Sequence, residues 1–141
     1  MSNLVKGIIA GVIATIVLSF MMIIKAKMGV MPELNVISML AAMMGGGALV
    51  GWLIHFMVGI GYGIGFSKIN SLLPSNSFIF KGVMLGIFGW LVMMIILMPM
   101  MGAGIFAMKM GMMAPIMTLM LHLIFGAVLG FVYNHLKNEN E

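Results

Sequence analysis

Four uninterrupted apolar runs constrain this chain more than any other feature. They cover residues 4–24, 48–66, 78–98 and 114–133, each close to the roughly 20 residues an α-helix needs to cross a bilayer core of about 30 Å. None alternates with period two, as a membrane strand facing lipid on one side and a lumen on the other must, so the runs predict helices. Only 7% of the 141 residues are charged, against about a quarter in soluble domains. The expected class is an all-α membrane protein, a four-helix transmembrane bundle forming one domain over residues 1–141. Lys6, just ahead of the lysine-free stretch that makes up most of the first run, resembles the start of a signal peptide, but that stretch is longer than such a segment and no small-x-small cleavage pattern follows it, so it reads as an anchor.

Boundary residues carry their own chemistry. Ser77 is placed to cap the third helix, Pro115 suits the first turn of the fourth, and Pro99, which lacks an N–H and crowds the preceding turn, should end or kink the third. All seven basic residues are lysines. Lys6, Lys68, Lys81 and Lys137 fall on one side of the membrane and Lys25, Lys27 and Lys109 on the other, a bias that puts both termini in the cytoplasm. These lysines read as anchors for anionic headgroups in the lipid bilayer, and with no basic cluster no nucleic-acid partner is expected.

Enzyme chemistry has little to work with. The acidic residues are Glu33, Glu139 and Glu141, and there is no Cys. That removes carboxylate pairs for acid–base catalysis, calcium cages, thiolate nucleophiles and Cys-ligated metal clusters. No His-Glu-x2-His is present, and the glycine-rich stretches lie in apolar helices rather than in the strand–turn–helix setting of a phosphate loop. The chain is not expected to be an enzyme.

Internal similarity predicts a duplication. Lys6-Gly-Ile-Ile-Ala-Gly11 recurs as Lys81-Gly-Val-Met-Leu-Gly86, and His55, Gly59, Gly63 and Phe66 recur at constant offset as His122, Gly126, Gly130 and Tyr133. The repeats, residues 4–69 and 78–136, are then two helical hairpins related by a pseudo-two-fold axis along the membrane normal. Each span carries a Gly-x3-Gly pair: Gly7/Gly11, Gly59/Gly63, Gly82/Gly86 and Gly126/Gly130. Residues four apart share a helix face, and small residues there let membrane helices approach closely.

His55 and His122 stand seven to eight residues into their spans, about 10–12 Å below the outer boundary at 1.5 Å per residue. The repeat puts them at one depth and turns both toward the bundle interior. An ionisable group within the membrane marks a candidate site, while the bland alternative is a neutral pair bonded to each other, to a helix carbonyl, or to the hydroxyl of Thr15, Ser19 or Thr118. His135 lies beyond the fourth span and reads as solvated. Between the spans, residues 25–47 and 98–113 hold twelve of the 21 methionines. Residues 32–44 carry helix start and stop signals but are too short to span, so a re-entrant or interfacial helix is expected there, with 102–113 as its counterpart. Thioethers suit Cu(I) or axial haem ligation, though Met is also an adaptable packing residue. Met43, Met44, Met112 and Met113 are the weaker metal-ligand candidates.

With Lys-Gly-x3-Gly, the Met31-Pro-Glu-Leu34 loop and His-x3-Gly-x3-Gly in view, the chain resembles, over nearly its whole length, a family of small four-span bacterial inner-membrane proteins of unknown function. The resemblance implies span count and membrane location and no activity. Three functions are open from the residues. His55 and His122 could bind a cofactor, haem b first and Cu(I) second, with Trp52, Phe56 and Phe125 as aromatic neighbours, for electron transfer or cofactor handling. The chain could instead be a cofactor-free accessory or assembly subunit of a larger membrane complex. It could also be a small transporter or channel, with a homo-oligomer as the partner arrangement.

Overall fold

The computed structural model describes residues 1–139, and among them every regular element is helical. Four helices are long and apolar enough to cross a membrane: Asn3–Lys27, Ala48–Ile69, Phe78–Met100 and Met113–Asn138. The protein is thus a multi-pass membrane protein folded as a four-helix bundle. Serine hydroxyls cap the first and third spans, where backbone N–H groups would otherwise be orphaned. Ser2 Oγ accepts from the Val5 amide and Ser77 Oγ from that of Phe80, each at 3.3 Å.

Pro99 both distorts and ends the third span: the regular α-helix is broken in the turn before it, and the helix stops one residue after it. The helix widens to a π turn over Met93–Leu97, in which the Met98 amide reaches back to the Met93 carbonyl, and ends at Met100. Widening the turn accommodates a residue with no N–H to donate.

Between the first two spans, the short helix is Val36–Met43, capped by Asn35, whose side chain accepts from the Ser38 amide at 3.0 Å. It starts later than residue 32 because Lys25 claims the preceding segment. Lys25 Nζ donates to the carbonyls of Val30, Met31 and Leu34 at 3.1, 2.9 and 3.0 Å, which uses all three ammonium protons. The counterpart loop holds only a 3-10 stretch, Ile105–Met110, within which Phe106 and Ala107 take positive φ of 54° and 53°. A regular helix cannot pass through two left-handed residues.

Two hairpins result. In the first, Gly7 and Gly11 lie directly on the backbone of Gly63 and Gly59. In the second, Gly82 lies on Gly126, Gly86 on the His122 carbonyl, and Gly130 on Phe78. The hairpins join through the first and fourth spans, burying Ala10, Ala14, Phe125, Leu129 and Tyr133 together with Phe66. The second and third spans scarcely meet. A separate core at the loop end is built around Leu34, Met93, Met94, Met98, Ala103, Ala107 and Ala114.

Candidate intramembrane ligand chamber

Spacing of four residues puts Gly11, Thr15 and Ser19 on one face of the first span. Thr15 Oγ1 donates to the Gly11 carbonyl and Ser19 Oγ to the Thr15 carbonyl, both at 2.7 Å. His55 Nε2 lies 3.2 Å from Ser19 Oγ. The serine proton is already committed to Thr15, so the imidazole must be the donor: His55 carries its proton on Nε2, and Nδ1 keeps the lone pair.

In the fourth span, His122 Nδ1 lies 2.8 Å from the Thr118 carbonyl. A carbonyl only accepts, so Nδ1 donates and Nε2 keeps the lone pair. Thr118 is held in turn. Its hydroxyl donates to the Ala114 carbonyl at 2.8 Å, and Trp90 Nε1 donates to Thr118 Oγ1 and to the Pro115 carbonyl, each at 3.1 Å. Among the described residues no buried side-chain nitrogen or oxygen lacks a partner. Neither lone-pair nitrogen has a protein partner, so both remain accessible.

Both imidazoles line one chamber of about 130 Å3 at the centre of the bundle. His55 is 8% exposed and His122 half-buried. Tyr62 and Phe125 close the chamber toward the termini, their rings meeting edge to face at 5.4 Å. Val36 and Leu40 of the short helix close the other end, and the π turn contributes Met93 and Leu97 to the wall. Among the described residues no Lys, Asp or Glu lines it. Val58 and Val92 also line it, yet are 47% and 36% exposed on the bundle surface. The mouth therefore opens sideways between the second and third spans, at a depth occupied by lipid. Across this gap the Tyr62 hydroxyl rests on Gly89, where any Cβ would collide with it.

The structure thus brings His55 and His122 together with Thr15 and Thr118 beside them. Phe125 is in the wall, while Trp52 and Phe56 lie edge-on to His55 at 5.9 and 6.0 Å. His135 is elsewhere, paired with Glu139 at 3.2 Å on the exposed end of the fourth span. Met43, Met44, Met112 and Met113 are exposed and none lines the chamber. Its thioethers come from Met22, Met93, Met98 and Met101. Tyr62 and Gly89 did not stand out in the sequence. The available signal was that Gly89 lies outside the paired glycine pattern, in a span whose other small residues were accounted for.

Among the described residues no group of three His, Cys, Asp or Glu side chains is placed to hold a metal ion. The donor-bearing side chains in the chamber wall include two imidazoles and four thioethers, a soft set. Haem does not fit the chamber as it stands: a cavity of about 150 Å3 accommodates a single benzene ring, and a tetrapyrrole is several times larger.

No curated protein and no solved structure matches the chain. A family model does, across residues 1–141. The chain belongs to that family, a family of unknown function (DUF6789).

Proposed function

We propose that the protein is an intramembrane ligand-handling protein, in which His55 and His122 hold one ligand through their two free lone pairs. The observation that carries this reading is that the two imidazoles, each oriented by its own hydrogen bond, line a single apolar chamber with a mouth toward lipid. An apolar pocket with a few convergent polar atoms is the usual form of a small-molecule site. The lysine asymmetry and the family resemblance support a bacterial inner membrane with both termini in the cytoplasm. The chamber then lies in the outer leaflet.

A second reading, copper(I) handling, is favoured by the thioethers of Met93 and Met98 beside the imidazoles. Thioether and imidazole ligands select this soft ion.

Both readings are tested by purifying the wild type, His55→Leu and His122→Leu from native membranes, then measuring copper by elemental analysis and extractable organic molecules by mass spectrometry. A ligand present in the wild type and lost from both variants is the expected result. Full occupancy in either variant would overturn shared ligation. For the copper reading, a joint Met93→Leu and Met98→Leu change should lower copper content, and unchanged content would end it.

A further inference from the structure

We propose that the chamber's ligand is a neutral hydroxylated ring dissolved in the membrane, of the hydroquinone type, which enters between the second and third spans past Tyr62. This rests on the chamber being a ligand site and adds the chemical class and the route.

Charge sets the first limit. With no charged side chain in the wall, an organic anion or cation would lose its hydration without gaining a partner. The ligand is neutral.

Hydrogen-bond polarity sets the second. Thr15, Ser19 and Thr118 all turn their hydroxyl protons to helix carbonyls, and Trp90 Nε1 is likewise committed. Acceptor lone pairs remain on His55 Nδ1, His122 Nε2 and the Thr15 hydroxyl oxygen, together with the hydroxyl of Tyr62. A ligand that only accepts, such as a quinone or a ketone, leaves both imidazole nitrogens unanswered, whereas one that brings two O–H groups answers both. Size sets the third limit, since the chamber, at about 130 Å3, is near the roughly 150 Å3 of a cavity that takes up a single benzene ring. The mouth sets the fourth: it faces lipid, so an aliphatic tail on the ring can stay in the bilayer. Tyr62 crosses this mouth to lie on Gly89, and its ring must swing aside for entry.

The test uses the full-length protein in lipid nanodiscs under anaerobic conditions, with three radiolabelled probes sharing one decyl tail: a hydroquinone, its dimethyl ether and the plain alkylbenzene. Saturable hydroquinone binding at least tenfold tighter than that of the ether is expected. His55→Phe and His122→Phe should each weaken the hydroquinone about tenfold and leave the alkylbenzene unchanged. Gly89→Val, which displaces Tyr62 from its seat, should change the association rate of both the hydroquinone and the alkylbenzene.

Equal affinity for hydroquinone and ether, tighter binding of the oxidised quinone, or indifference to both histidine changes would overturn the ligand class while leaving the chamber as a site. An unchanged association rate in Gly89→Val would overturn the route. If none of the three probes binds to protein that is helical by circular dichroism, the chamber reading itself fails.

Discussion

The two ends of the bundle are packed by opposite means. Toward the termini, glycines set backbone directly on backbone, with Gly7 against Gly63 and Gly82 against Gly126. Lys6 and Lys81 bury their stems there, and the ammonium groups of Lys81 and Lys137 lie 5.1 and 5.2 Å from the centre of the Phe78 ring. At the other end methionines fill the space, with Met94 and Met98 fully buried beside Met93, and Met31, Met39, Met110 and Met117 packed around them. Glycine contacts admit no adjustment because nothing between the helices can rotate away. Thioether side chains have three rotatable bonds and re-pack readily. The chamber sits where the first regime gives way to the second, so one end of it is rigid and the other can yield.

Substitutions at each end should break or sharpen that contrast. The largest effect is expected for Gly82→Leu, since even a Cβ at this position collides with the Gly126 carbonyl. A loss of about 4 kcal/mol or more, in the exceptional range for a single change, should appear as failure to recover folded protein in detergent thermal melts. Gly61→Ala, on the same span as Gly59 but with nothing within 4 Å, should leave the melt within about 1 kcal/mol of wild type or raise it, because Ala is the better helix former. Near-equal effects of the two would dissolve the distinction.

At the methionine end, Met98→Ala should cost about 2–5 kcal/mol through the cavity it leaves. Met98→Leu should cost less than about 1.5 kcal/mol as a volume-conserving exchange. If Leu proved as damaging as Ala, the end would be specifically packed after all. Lys25→Met removes three charge-assisted bonds to the Val30–Leu34 carbonyls. It should release that loop, with a local penalty of roughly 2 kcal/mol, read as faster hydrogen exchange at Leu34 and unchanged exchange at Leu129. Among the changes that remove a contact, the smallest loss is expected for Trp90→Phe, about 1 kcal/mol from the lost indole N–H bonds to Pro115 and Thr118.

Much of the fold was legible beforehand. Span number and helical class follow from run length, because the thickness of lipid sets the number of residues needed. The Ser77 cap was legible because capping depends on residues three apart in sequence. The loops were less so. The short helix between the first two spans begins at Val36 because Lys25, eleven residues upstream, takes the carbonyls before it. No local propensity announces that reach. Pro99 acted as its local rule says: the helix stops one residue past it. What local rules did not announce is the form of the distortion, a widened π turn packed into the methionine core.

At the candidate site, residue types and depth could be read from sequence, while proton positions, the walls and the mouth could not. That His55 presents Nδ1 depends on Ser19, and that Ser19 cannot be the donor depends on Thr15. The sideways mouth exists because the first and fourth spans close together while the second and third stay apart, a choice between two pairings that the apolar faces alone leave open. Sequence determined what must be buried in lipid, since that is a property of each run by itself. Tertiary structure decided which atoms within it are left facing one another, since that depends on contacts between residues far apart in the chain.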